Sequence, residues 1–240
     1  MKRQRGIALA ELLVAAAIAA LVMTALAGVL GSVRQADTQF SERALLQRDA
    51  RLALERIAVM VEGSRSLLVP LEVTTNSRNV LAVSLPPTVD RNGDGYADAD
   101  NNKNGSVDDD ISTDYTNDGA PGIKGIDDDG DGTIDNGSTS DNDENGSIAT
   151  PVGAGTGTDW IDAVVYRVSG TQLLERLPNL NPASGADYTE RPIADNVSAF
   201  TVTRVGTGNR STREVLVQLD LAGPGGETGT WTRRLRLGTR

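Results

Sequence analysis

The sequence predicts an α+β fold: one long amino-terminal helix, then antiparallel strands, with an acidic insertion among them. Three observations carry this. Residues Ile7–Leu30 hold no charge except Glu11 and are otherwise almost wholly apolar. Leu45, Leu46, Ala50, Ala53, Leu54, Ile57 and Val61 recur at spacings of one, three and four, which makes one apolar helical stripe. Beyond it, short Val- and Leu-rich runs alternate with Gly, Pro and Asn turns, the signature of strands.

The helix comes first. The 24 residues Ile7–Leu30 make about 36 Å of helix, enough to cross a bilayer core of ~30 Å. Lys2, Arg3 and Arg5 precede the span, and the next basic residue is Arg34. That asymmetry predicts a single pass with the amino terminus cytoplasmic and the body outside. Read on to about Val61, the element is a rod about 80 Å long. Gly31 and residues 35–38 form a weaker join where a slight bend is allowed. Arg48, Asp49, Arg51, Glu55 and Arg56 occupy much of the remaining helix surface.

Glu11 makes the span more than an anchor. A carboxylate in hydrocarbon costs on the order of 2.5–3.5 kcal/mol, and no cationic side chain within the span can pair with it. If the chain is cut after Gly6, Ile7 becomes the first residue and Glu11 the fifth. The glutamate then lies in the first helical turn, where free N–H groups and the helix dipole favour an anion. It can also meet the new ammonium group of a neighbouring copy.

The stretch Arg5-Gly6-Ile7-Ala8-Leu9-Ala10-Glu11-Leu12-Leu13-Val14-Ala15 resembles the prepilin-type cleavage and methylation motif of type IV pilins and type II secretion pseudopilins. The resemblance covers about 30 residues. It implies that a membrane aspartyl prepilin peptidase cuts after Gly6 and methylates Ile7, and that Glu11 aids assembly with other pilin or pseudopilin subunits. It also implies a pilin-like fold anchored in the lipid of a bacterial inner membrane, then drawn into a filament. Ala8 and Ala10 stand where Thr and Ile or Val are more usual, and Gly28 where many pilins have a helix-bending proline. An uncleaved signal anchor and a secretory signal peptide are the plainer alternatives. The length of the apolar run and its charge speak against the signal peptide.

Composition narrows the chemistry. There are no cysteines and no histidines, so thiol chemistry, disulfides and most hydrolytic triads are excluded. No nucleophile–base pair stands out, and the chain is not expected to be an enzyme. Aromatic residues are 3 %, so the core must be built from Val, Leu, Ile and Ala. A formal charge of −10 argues against nucleic acid as a partner. That charge is concentrated: residues 90–146 hold 17 acidic against three basic residues, a net of −14, leaving the rest of the chain at +4.

The chain therefore divides into a leader (1–6), a membrane and assembly half-helix (7–30), the second half-helix with the first strands (31–89), the acidic insertion (90–146) and a carboxy-terminal antiparallel sheet (147–240). Strands are expected at Leu67–Val73, Asn79–Leu85, Asp159–Val168, Thr171–Leu177, Ile193–Val205, Arg213–Leu221 and Thr230–Leu237, with loops at Pro182–Tyr188 and Gly223–Gly229. Ser169-Gly170 reads as a hairpin turn. One sheet face should be covered by the helix stripe. Trp160–Val168, Leu173–Arg176, Asn196–Val205 and Val215–Leu221 also resemble, diffusely, the carboxy-terminal domain of J-type minor pseudopilins and W-type minor pilins.

Within the insertion, Asp90–Gly95, Asp100–Gly105, Asp127–Gly132 and Asp141–Gly146 each fit D-x-[DN]-x-[DN]-G, the first half of an EF-hand loop. In that pattern oxygens at positions one, three and five surround a hard cation and glycine at six allows the turn. The candidate calcium ligands are Asp90, Asn92, Asp94 and Asp98; Asp100, Asn102, Asn104 and Asp108; Asp127, Asp129, Asp131 and Asp135; and Asp141, Asp143 and Asn145. The fourth loop has Ala149 at position nine. The bidentate glutamate of position twelve is missing, with Asn101, Ile111 and Ser138 in its place, and helical flanks are missing too. The segment resembles dockerin or thrombospondin type 3 calcium repeats, which implies several Ca2+ ions. A solvated acidic linker is the plainer alternative, since Ile111, Ile123, Ile126 and Ile134 are too few to build a core.

Two functions follow as expectations. The first is a structural minor pilin or pseudopilin, incorporated in or priming a type IV pilus or type II secretion pseudopilus, with calcium-stabilised loops. The second is a membrane-anchored, calcium-dependent adhesion or binding module that does not enter a filament.

Overall fold

The computed structural model describes residues 9–64, 67–70, 77–84, 123, 125–127, 131–134, 163–178, 188–205 and 213–238. Helix α1 spans Leu9–Gly63, 55 residues without interruption. It runs through Gly28, Gly31 and residues 35–38 with no break in its hydrogen bonding, so the weaker join expected there does not divide it.

Exposure divides the helix in two. Leu12, Val14, Ile18, Met23, Val29 and Val33 are all more than half exposed, and the buried face begins at Leu46. From there Ala50, Ala53, Leu54, Ile57, Ala58 and Val61 are at most 6 % exposed. Leu45 does not belong to this face; it is 51 % exposed and points away from the body. Adjacent residues lie about 100° apart on a helix, and only Leu46 of the pair is in phase with Ala50 and Ala53.

The strands are β1 (Leu67–Val69), β2 (Ser77–Arg78), β3 (Val80–Ser84), β4 (Ala163–Ser169), β5 (Gln172–Pro178), β6 (Tyr188–Ala194), β7 (Val197–Arg204), β8 (Glu214–Ala222) and β9 (Thr228–Arg236). They form two sheets rather than one, in the orders β1-β3-β4-β5-β6 and β2-β7-β8-β9, and every pairing is antiparallel. The helix packs on β8 and β9 of the second sheet and on β6 of the first. The alternation of β8 shows why: Val215, Val217, Leu219 and Leu221 are buried, whereas Leu216 is 38 % exposed. Together with Leu81, Val83, Val164, Tyr166, Leu173, Phe200, Val202, Leu235 and Leu237 they form the main core under α1.

The strands differ from the sequence expectation in three places: β2 (Ser77–Arg78), which pairs with β7, lies outside the expected runs, and two further differences concern β6 and β7. The apolar run Ile193–Val205 is two strands, split at Asn196, whose φ of 59° makes the turn. Asn tolerates that left-handed region better than most residues. Its carbonyl accepts from Ala222 N at 2.8 Å, and Val197 N donates to Thr171 O at 2.8 Å, which fixes the corner between the sheets. Strand β6 was not expected because Glu190, Arg191 and Pro192 hide its alternation; it is an edge strand, where proline and charge are tolerated. β4 and β5 turn at Gly170, φ +61°, as the Ser-Gly pair predicts.

β3 and β4 flank the acidic insertion in sequence and pair with each other from Val80↔Arg167 to Ser84↔Ala163. The far face of their sheet is also apolar. Leu68, Val69, Ala82, Ala163 and Val165 are buried there, and Ile123 and Ile126 of the insertion cover them. The insertion therefore does contribute to a core, contrary to expectation: two isoleucines three residues apart suffice because the sheet supplies the rest.

The helix ends in a closed junction. Ser64 Oγ donates to Met60 O, and Ser64 O accepts from Gly238 N at 3.1 Å. A Cβ at Gly238 would lie 2.8 Å from Glu62 O, so only glycine fits where the chain after β9 crosses the helix end.

Candidate functional site

The first candidate region is the bare helix. Its most apolar 18-residue stretch has a mean hydropathy of 2.5 and no buried residue, long and apolar enough to cross a membrane. The hydroxyls in it bond to the helix itself: Thr24 Oγ1 donates to Ala20 O at 2.8 Å and Ser32 Oγ to Val29 O at 2.8 Å. That satisfies polar groups which lipid could not. Glu11 lies exposed in the first turn of α1. Gly6 and Ile7 fall outside the described residues.

Where the helix enters the body, the β8–β9 turn meets it. Arg43 Nε is 3.7 Å from Glu227 Oε2, and Gly225 lies against the Glu42 carboxylate. Further on, a buried ionic cluster joins helix to sheet. Glu175 of β5 is fully buried and accepts from Arg56 Nε at 2.8 Å, Tyr166 OH at 2.9 Å and Arg191 Nε at 2.8 Å. Burial alone would raise its carboxyl pKa, and the bonds from Arg56, Arg191 and Tyr166 outweigh it, so the group is held below the ordinary value. Burial, then the adjacent carboxylate, pushes the Tyr166 phenol up, so it stays a donor. Sequence reasoning missed Glu175. The available signal was its phase: it alternates with Leu173 and Leu177 and so points inward.

A second ion group lies on the opposite face of the same sheet. Glu190 accepts from Arg167 Nε at 2.9 Å and from Arg176 Nε at 2.9 Å, and Arg176 stacks over the Tyr188 ring at 4.0 Å. The bond from Arg167 is the larger cause, and with that from Arg176 it outweighs burial to hold the Glu190 carboxyl low.

Of the fifteen candidate metal ligands, Asp127 and Asp131 are described; Asp90, Asn92, Asp94, Asp98, Asp100, Asn102, Asn104, Asp108, Asp129, Asp135, Asp141, Asp143 and Asn145 lie outside the described residues. Gly132 N, at position six of the third loop, donates to Asp127 Oδ2, at position one, over 3.1 Å, and Gly132 has φ +94°. Thr133 N donates to Asp131 Oδ1 at 2.7 Å. This turn orders both aspartates. The loop is also fastened to the body: the Arg78 side chain, 7 % exposed, donates to Asp127 O and stands 3.6 Å from Asp127 Oδ1. Among the described residues no three acidic side chains converge as a metal site.

A bare apolar half-helix and a body clamped to its second half suit a membrane-anchored subunit. Residues 1–27 match the model of the prokaryotic N-terminal methylation motif. With the long helix packed on antiparallel sheets, that match makes the chain similar to type IV pilin and pseudopilin precursors, which are processed at the amino terminus. Neither the comparison with curated proteins nor that with solved structures returned a match.

Proposed function

We propose that the chain is a minor pilin or pseudopilin, cut after Gly6 and methylated at Ile7, and incorporated in or priming a type IV pilus or type II secretion pseudopilus. The observation that carries this reading is the division of one 55-residue helix into an exposed apolar half and a buried half. The first half suits lipid before assembly and neighbouring helices after it; its many alanines permit close helix approach. The partners are other pilin subunits, the prepilin peptidase and inner-membrane lipid. The role is structural, without catalysis. Glu11→Leu should leave membrane insertion intact and reduce recovery of the chain in sheared filament fractions. Unchanged incorporation would count against an assembly role for Glu11.

Calcium is the proposed stabiliser of the insertion. Four repeats of the D-x-[DN]-x-[DN]-G pattern support it, together with the Asp127–Gly132 turn. The affinity expected of such loops is in the extracellular range, ~10⁻⁴–10⁻³ M. Millimolar Ca2+ should protect residues 90–146 of the full chain from protease, and EDTA should reverse this. No difference between the two conditions would remove the metal from the reading.

A second reading is a membrane-anchored, calcium-dependent binding module outside any filament. One observation favours it: Ile123 and Ile126 seat the insertion on the face of the sheet turned away from α1. Methylated Ile7 is expected under the first reading alone.

A further inference from the structure

Arg78, in β2 of the second sheet, carries a buried charge to the acidic insertion. Its side chain is 7 % exposed, donates to Asp127 O and stands 3.6 Å from Asp127 Oδ1. A guanidinium buried so far needs a carboxylate beside it, and Asp127 supplies one. The other oxygen of that carboxylate, Oδ2, accepts from Gly132 N at 3.1 Å. Both oxygens of the residue at position one of the third loop are therefore met by the chain itself, one by a cation and one by an N–H.

The residues just before Asp127 are seated by apolar contact. Ile123 and Ile126 are 4 % and 2 % exposed against Leu68, Val69, Ala82 and Val165. Ile126 N donates to Ile123 O at 3.0 Å, and Gly125, at φ +72°, turns the chain between them beside Arg176. The segment thus joins both sheets. Its isoleucines rest on β1, β3 and β4, and its aspartate is held from β2.

Charge decides whether such a turn stays down. Residues 127–135 hold five aspartates: Asp127, Asp128, Asp129, Asp131 and Asp135. Against the low-dielectric body their mutual repulsion opposes seating, and a cation beside the first of them offsets it. In the calcium-loop pattern that cation is the metal. Here a side chain provides one.

We propose that Arg78 is a built-in cation for the third loop, keeping residues 123–134 seated across the two sheets without calcium. This rests on the calcium reading of the insertion and divides it: the metal orders the first, second and fourth loops and is not needed to seat the third. Calcium can still join the remaining aspartates of the third loop, but the seat does not wait for it.

Amide hydrogen exchange of the full chain in detergent, read by mass spectrometry, tests this. In the parent chain, peptides covering 123–134 should be equally protected in EDTA and in millimolar Ca2+, whereas those covering 90–109 should slow with the metal. Arg78→Met keeps an apolar stem and removes the charge. In EDTA it should speed exchange at 123–134 about tenfold, as expected for one lost bond to a charged group, and millimolar Ca2+ should restore the protection. Exchange across Val215–Leu221 should be unchanged, which shows that the body is folded. Calcium-dependent protection of 123–134 in the parent chain would overturn the proposal with no variant needed. So would an R78M chain that stays protected in EDTA, or one that calcium fails to restore. Parent peptides 90–109 indifferent to calcium, beside an R78M chain that calcium restores, would keep the role of Arg78 and sink the calcium reading of the other loops.

Discussion

Arg56 Nε donates to Glu175 Oε1 at 2.8 Å, joining the helix to the first sheet across 119 residues of sequence. Glu175 is fully buried, yet Tyr166 and Arg191 complete its coordination, so the charge is answered on both oxygens. Removing Glu175 leaves the buried Tyr166 hydroxyl and two part-exposed arginines without their acceptor, at a cost on the order of 1–3 kcal/mol. Glu175→Ala should therefore lower the thermal midpoint of the full chain in detergent sharply. Tyr166→Phe removes one donor of three and should cost about 1 kcal/mol. An E175A midpoint equal to that of the parent would contradict the latch.

The two ion groups, one on each face of the first sheet, set an acid limit. Glu175 and Glu190 are both held below the ordinary glutamate value of 4.5 in the folded chain. Their contribution is complete above that unfolded value and is lost as pH falls through the lower folded ones. Denaturant midpoints should be flat near neutrality and decline below about pH 4. Glu190→Gln should be less stable at neutral pH and show a shallower acid decline. Parallel acid curves for the two proteins would contradict the assignment.

Ile126 tests whether the insertion is part of the body. It is 2 % exposed and covers Val69, Ala82 and Val165 with Ile123. Ile126→Ala should cost about 2–4 kcal/mol and Ile126→Asp more, since both uncover the sheet. Limited proteolysis of the full chain should then cut within 90–146 sooner. Unaltered cleavage kinetics for I126D would show that the insertion is not held there.

Gly238 tests the junction at the other end. A methyl group there would sit 2.8 Å from the Glu62 carbonyl, a backbone atom that cannot swing aside. Gly238→Ala should destabilise the chain by about 1–3 kcal/mol, read as an earlier thermal midpoint. No shift in that midpoint would mean that the chain end does not cross the helix so closely.

The parts legible in the sequence were those set by local periodicity. Leu46 to Val61 announced the buried face, and alternation from Val215 to Leu221 announced β8. The hairpin at Gly170 was written in its turn residues. What escaped depended on partners far away in sequence. β6 hid because Glu190 and Arg191 face arginines and a carboxylate on β4 and β5, so its polarity is answered across strands rather than by solvent. Leu45 was misassigned because spacing alone does not say which side of the helix the body covers. Ile123 and Ile126 looked too sparse for a core because their apolar partners, Leu68 to Val165, lie outside the insertion. The Asp-Asn-Gly loops were read from spacing; in the third, Gly132 N donates to the Asp127 carboxylate.

The most direct measurement is the intact and amino-terminal mass of the mature chain from its native membrane or filament fraction. A processed filament subunit begins at Ile7, carries one methyl group on its amine, and retains Glu11 as its fifth residue. A functional chain recovered with Met1 and the basic leader attached would contradict that account, since Glu11 could then meet no freshly exposed amine.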